Sequence, residues 1–239
     1  MTCELLLGDC LELMRAMPDG AFDYVITDPP YGIGESSGKN VSRQVLAKAV
    51  NYGDSNAKWD TKKISVEHIH EMRRVSRHQV IFGGNYYADL LPASSSWIVW
   101  DKINGKNDFA DCELAWTSHK KAVRQFRYMW HGMIKQRPEK RYHPTQKPLD
   151  LMKWVIENYT NEGATVLDPF MGSGTTGVAC IELGRLFTGC DINAGYLAIA
   201  QQRIEAAQQQ QPLDLQAVTA RRPTSSSSCL LYTSPSPRD

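Results

Sequence analysis

Ala164-Thr165-Val166-Leu167-Asp168 leads into Pro169-Phe170-Met171-Gly172-Ser173-Gly174-Thr175-Thr176, and Gly177-Val178-Ala179-Cys180-Ile181-Glu182-Leu183 follows. The first stretch is a short apolar run ending in an acid and reads as a buried strand. The second is a small-residue loop, and the third has helical character. A strand, a glycine loop and a helix start gather backbone N–H groups and the positive helix end at one point, which suits an anionic group. Glycines there let a ligand approach the backbone closely. Phe187-Thr188-Gly189-Cys190-Asp191 reads as the next strand, and its terminal acid is suited to bond ribose hydroxyls. Gly172-x-Gly174-x-x-Gly177 has the dinucleotide spacing, so a NAD or FAD site is one reading and a plain glycine-rich turn another. No lysine follows Gly174, which excludes a Walker phosphate loop.

A second motif lies far upstream. Phe22-Asp23-Tyr24-Val25-Ile26-Thr27 reads as a buried strand and runs into Asp28-Pro29-Pro30-Tyr31. An acid, two prolines and an aromatic at a strand end make a rigid polar corner beside a flat stacking surface. That suits a planar ring bearing an exocyclic amine: the carboxylate and a nearby carbonyl accept the amine hydrogens while the ring stacks on Tyr31. An ordinary proline turn is the competing reading of these four residues alone.

With His143-Pro144-Thr145-Gln146-Lys147-Pro148, and a weaker Gly8-Asp9-Cys10 match at the start, these motifs resemble the DNA N6-adenine/N4-cytosine methyltransferases, in the order where the catalytic motif precedes the cofactor motif. The resemblance covers roughly residues 4 to 208. It implies a Rossmann-like methyltransferase fold: a mostly parallel sheet with helices on both faces and one antiparallel strand. S-adenosylmethionine is the implied cofactor, held by Asp9, His143, Thr145, Lys147, Asp168, Pro169, Phe170, Gly172, Ser173, Gly174, Thr175, Thr176 and Asp191. Within that set, Thr145 and Lys147 are expected at the methionine carboxylate and Asp9 near the adenine, although Asp9 also reads as a helix N-cap. Asp191 stands where many relatives have glutamate. The implied catalytic residues are Asp28, Pro29, Pro30 and Tyr31, acting on a flipped base. An acid at position 28 is what the family's adenine enzymes usually carry, whereas its cytosine enzymes in this motif order often carry serine, so N6 of adenine is favoured. An N4-cytosine enzyme, an RNA or protein-amide methyltransferase and an inactive DNA-binding module remain alternatives.

The composition suits this reading. The chain has 239 residues, 42% of them hydrophobic, enough for one sizeable α/β domain. Its net charge is only +1, but the segment 117–142 is strongly basic. Lys120, Lys121, Arg124, Arg127, Lys135, Arg137, Lys140 and Arg141 face the single acid Glu139 and are interleaved with Phe126, Tyr128, Trp130 and Tyr142. Basic residues among aromatics suit a phosphate backbone, so Lys120, Lys121, Arg124, Arg127, Lys135, Arg137 and Arg141 are the DNA-binding candidates; a solvated basic edge is the plainer alternative. The partner implied is double-stranded DNA, with a homodimer and a cognate restriction nuclease compatible with the family. The six cysteines form no C-x-x-C pair and the six histidines lack metal spacing, so reduced core thiols and no metal are expected. No signal peptide or membrane-length apolar run is present, and a cytoplasmic protein of a bacterial cell or phage-infected host is expected.

Residues 1–211 therefore read as the catalytic domain. Within it, the Gly-, Ser-, Asn- and Lys-rich stretch 32–60 is expected to be a mobile DNA-contacting loop with a short helix around Val41 to Ala49. Ser65 to Ser76 is expected to be an amphipathic helix, and Gln79–Phe82, Ser96–Trp100 and Cys112–Trp116 strands, their tryptophans belonging to the core. Pro148 opens a further helix reaching about Tyr159. Residues 212–239, rich in Ser and Pro, are expected to be disordered. Within them 229–239 resemble the in-frame translation of a sequencing-library adaptor and are expected to be an artefact.

Overall fold

The structure is a computed structural model that describes residues 3–32, 63–104, 110–131, 134–142 and 145–210. Most of the loop 32–60, His143, Pro144 and the tail 212–239 lie outside them.

The strands in chain order are β1 (Cys3–Leu7), β2 (Phe22–Thr27), β3 (Ser76–Phe82), β4 (Trp97–Asp101), β5 (Cys112–Thr117), β6 (Arg124–Arg127), β7 (Trp130–His131), β8 (Ile134–Lys135), β9 (Thr165–Asp168) and β10 (Leu186–Asp191). The helices are α1 (Cys10–Ala16), α2 (Val66–Val75), α3 (Leu149–Tyr159), α4 (Thr175–Glu182) and α5 (Ala194–Gln209). Eight strands form one sheet in the order β1-β10-β9-β2-β3-β5-β4-β6, and among them β5 alone runs against the rest. β7 and β8 form a separate antiparallel ribbon. The expected mixed α/β sheet with a single antiparallel strand is what the sequence builds.

Strand alternation sends neighbouring side chains to opposite faces. Ile26, Val80 and Val166 join Leu151, Val155, Ala179 and Ile204 under α3, α4 and α5. Val25, Ile81 and Leu167 join Met14, Ile69 and Met72 under α1 and α2. Both faces are thus covered, as a parallel sheet requires. Trp100 and Trp116 are buried core residues, as expected from their strand positions.

Two details depart from the sequence reading. No loop separates α2 from β3: Ser76 opens the strand directly, its hydroxyl donating to the Met72 carbonyl at 2.6 Å. The basic segment, read only as a charged stretch, contains edge strand β6 and the ribbon β7–β8.

The topology places the site. β9 and β10 return from the end of the chain to lie between β1 and β2. Beyond β2 the sheet continues outward in the other direction. A reversal of this kind opens a crevice at the carboxyl ends of the strands, here between β9 and β2.

Candidate active site

Both sequence motifs open onto this rim. The link between them is direct: Thr27 Oγ1, the last residue of β2, donates to Asp168 Oδ1 at 2.7 Å. Asp168 also accepts from Thr176 Oγ1 at 2.6 Å and from the Phe170 amide at 3.1 Å. Burial pushes its carboxyl up to about 6 against those hydrogen bonds. Its three donors make it the pin that joins β2, β9 and α4.

The glycine loop is fixed from behind. Arg203 of α5 donates to the Ser173 carbonyl at 2.6 Å and to the Ser173 and Thr175 hydroxyls, both at 3.1 Å. Gly174 has φ +77°, and a Cβ on it would come within 2.8 Å of Ala200 Cβ. It therefore lets α5 close on the loop. The glycine spacing was expected to admit a ligand; at Gly174 and Gly177 it admits protein packing, since a Cβ on Gly177 would meet Ile204 Cδ1 at 2.6 Å.

Further along the rim, Asp191 ends β10. Its carboxylate accepts from the Asn193 amide at 2.7 Å, and burial raises it to about 6. The next side chain, Ile192, is 73% exposed. Asp9 accepts from the Leu11 and Glu12 amides, so it caps α1 while remaining exposed at the carboxyl end of β1. A half-buried carboxylate, an exposed aliphatic side chain beside it and a helix start at the glycine loop suit an adenosine with a polar tail. The cofactor candidates Asp9, Asp168 to Thr176 and Asp191 thus share one rim; Thr145 lies in the turn before Gln146, and His143 is outside the described residues.

At the Asp28 corner, Asp28 Oδ1 accepts from the Tyr31 hydroxyl and Oδ2 accepts from Lys147 Nζ at 2.6 Å. Lys147 was expected at a methionine carboxylate; here its Nζ turns into the corner, also 3.1 Å from Glu113 Oε2 and 3.2 Å from the Tyr31 hydroxyl. Only 8% of its side chain is exposed, and two carboxylates within reach are what hold an ammonium in so dry a place. Burial works against that ammonium, but Asp28 and Glu113 more than offset it and hold its pKa above the ordinary value. Burial raises the Asp28 carboxyl, with Lys147 opposing the shift. For Glu113 burial also acts upward, and the Lys147 and Lys102 ammoniums outweigh it, leaving the carboxyl below its usual range.

Tyr31 stacks on Tyr86 with ring centroids 4.7 Å apart and planes 18° from parallel. Its ring lies over Gly83, which has φ +67° and no room for a Cβ, since one would fall within 2.7 Å of Tyr31 Cδ1. Tyr87 donates its hydroxyl to the Pro30 carbonyl at 2.6 Å and lies 3.3 Å from that of Pro29. Tyr86, Tyr87, Glu113 and Arg203 were not singled out from sequence. An acid within an otherwise apolar strand was the available signal for Glu113.

The basic segment is not one surface. Lys120, Lys121 and Arg124 lie at the amino ends of the parallel strands, on the rim opposite Asp28, because the β5–β6 connection turns there. Lys121 donates to the Asn158 carbonyl at the far end of α3 at 2.9 Å. Lys120 instead lines a cavity of about 460 Å³ with Arg73, Arg77 and His78, away from every cofactor candidate. Arg127, Lys135, Arg137 and Arg141 follow the chain towards the rim that carries Asp28. Arg127 pairs with Asp101 at 2.9 Å, Arg137 reaches Asp150 at 3.4 Å, and Arg141 lies over the Trp130 ring at 5.1 Å. Among the described residues no group of His, Cys, Asp and Glu has metal-binding geometry, and no helix is long and apolar enough to cross a membrane.

Comparison with known proteins bears on the family and the fold. Residues 101–202 match the family model described as DNA methylase. The chain is 29% identical to the type II methyltransferase M2.DpnII of Streptococcus pneumoniae over 246 residues, covering 84% of this chain and 89% of that one. Among solved structures, the crystal structure of the M1.HpyAVI–SAM complex superposes with a TM-score of 0.57 at 27% identity, covering 84% of this chain and 100% of its own. The cytosine-N4-specific PvuII DNA methyltransferase shares the fold with a TM-score of 0.54 at 16% identity, over 85% of this chain and 86% of that one.

Proposed function

We propose that the chain, which is similar to the DNA N6/N4 methyltransferases, moves the methyl group of S-adenosylmethionine to N6 of a flipped adenine in double-stranded DNA. The observation that carries this reading is the Thr27–Asp168 hydrogen bond, which sets the Asp28 corner beside the glycine loop on one rim. The cofactor supplies an electrophilic methyl on a sulfonium. Asp191 is suited to the ribose hydroxyls and Ile192 to one face of the adenine ring. The start of α4 favours the carboxylate end.

The chain's own residues act on the substrate amine. N6 is a weak nucleophile because its lone pair is delocalised into the ring. Hydrogen bonds from N6–H to Asp28 and to the Pro29 carbonyl localise that pair and aim it. Both prolines lock their φ angles, and Tyr87 fixes the corner from behind through the Pro30 carbonyl. Positioning supplies much of the rate, and the Asp28 carboxylate stabilises the charge that develops on N6 as the N–CH3 bond forms and the S–CH3 bond breaks; the surplus N6 proton then leaves to water. Tyr31 offers a stacking surface that offsets part of the few kcal/mol needed to extrude the base. The acid at position 28 is what favours adenine over cytosine. Arg127, Lys135, Arg137 and Arg141, on the catalytic side of the sheet, are the better candidates for phosphate contacts.

The test is sequencing of modified bases in DNA from a methylation-free host that expresses the full chain. N6-methyladenine at one recurring site, absent with Asp28→Ala, supports the reading. N4-methylcytosine in its place would overturn the assignment to adenine.

A further inference from the structure

Four charged side chains are linked in a row that ends at the proposed catalytic acid: Lys102, Glu113, Lys147 and Asp28. Glu113 lies on β5, opposite Trp100 of β4, and Lys102 directly follows β4. One Glu113 oxygen, Oε1, is bonded by Lys102 Nζ. The other, Oε2, is buried, lies 3.1 Å from Lys147 Nζ and, among the described residues, meets no other donor. Lys147 Nζ spends its short bond, 2.6 Å, on Asp28. The row carries two cations and two anions, so it is neutral as a whole, which is how such a chain survives in a dry place.

This arrangement poses a difficulty for the reaction. Asp28 already accepts from Tyr31 and Lys147, so a substrate amine meets an occupied carboxylate. An ammonium left on Asp28 would also stand beside the nitrogen that becomes cationic during transfer, and like charges at that distance repel. Lys147 needs another acceptor, close by and free of competing donors. Glu113 Oε2 has both properties, and Lys102 holds its carboxylate in place.

Resting on the functional reading above, we propose that Glu113 is a positioning residue that takes over the Lys147 ammonium when the substrate amine binds Asp28. The ammonium changes partners without losing its proton, so the buried row stays neutral throughout. Glu113 does not touch the base; it acts through Lys147. Lys102 fixes the receiving carboxylate, packed 4.9 Å from the Trp100 ring centroid.

The experiment is steady-state transfer of labelled methyl groups from S-adenosylmethionine to unmethylated genomic DNA by the full-length protein. Glu113→Gln is expected to lower kcat about 10- to 100-fold while the KM for S-adenosylmethionine stays within about threefold. Glu113→Asp should recover part of that loss. A double-mutant cycle with Lys147→Gln separates this role from a structural one: if Glu113 acts through Lys147, the double variant is no slower than Lys147→Gln alone. Additive losses, or a Glu113→Gln kcat within twofold of wild type, would overturn the proposal while leaving the functional reading intact. Wild-type protein that methylates no DNA would overturn both.

Discussion

Asparagine at the pin between the two motifs is expected to flatten the protein's pH dependence of stability. Asp168 titrates near 6 in the folded chain, because burial outweighs its hydrogen bonds from Thr176, Thr27 and Phe170, whereas an unfolded aspartate titrates near about 3.9. A carboxyl raised in this way binds its proton more tightly when folded. Its contribution to stability is therefore complete below about pH 4 and lost as pH rises through about 6. Between pH 4.5 and 7.5 roughly one and a half units of that window are crossed, and at about 1.4 kcal/mol per unit the wild type loses about 2 kcal/mol through this group. Asp168→Asn keeps the shape and an acceptor for Thr27 but has no proton to exchange. Urea unfolding of both proteins at pH 4.5, 5.5, 6.5 and 7.5 should show the variant gaining about 2 kcal/mol on wild type across the series. Asp191, also raised to about 6, is present in both and cancels. A constant difference at every pH would refute the reasoning. A difference running the other way would mean that the three hydrogen bonds outweigh burial and hold Asp168 ionised.

Gly83→Ala puts a methyl into the Tyr31 ring at a backbone angle of +67°, so it should cost about 1 to 3 kcal/mol in urea unfolding and raise the KM for DNA more than that for the cofactor. Tyr87→Phe removes the donor to the Pro30 carbonyl; it should lower stability by about 1 kcal/mol and slow methyl transfer several-fold, while isothermal titration shows cofactor affinity unchanged.

The backbone at the two motifs was legible because each carries its own local instructions. Val25-Ile26-Thr27 and Val166-Leu167 are apolar runs, and prolines or glycines end them at fixed places. Side-chain pairing across the sheet was not legible in the same way. Asp28 and Lys147 stand 119 positions apart, and whether their atoms meet depends on how α3 docks and how β5 registers against β3 and β4. Lys147 read as a cation for the methionine carboxylate of the cofactor; two buried carboxylates turn it inward. The basic segment divides between two rims for a related reason. Charge can be counted along a chain, but direction cannot. A turn and four residues of edge strand, about 13 Å of extended chain, carry this segment from one rim of the sheet to the other, so neighbours in sequence end on opposite sides of the molecule.

The same point bears on the order of the motifs. The chain encodes the Asp28 corner first and the glycine loop some 140 residues later, yet the proposed chemistry needs only that β2 and β9 be neighbours with their carboxyl ends together. Strand pairing of Tyr24 with Val166 and of Val25 with Leu167 sets that adjacency. The bond from Thr27 to Asp168 extends it past the end of the ladder, where the backbones diverge into two different loops. A hydroxyl and a carboxylate at the last ladder position thus do what further strand pairing cannot. They hold two loops of unlike conformation at a fixed separation, which is what the proposed transfer requires of an electrophile on one and an acceptor on the other.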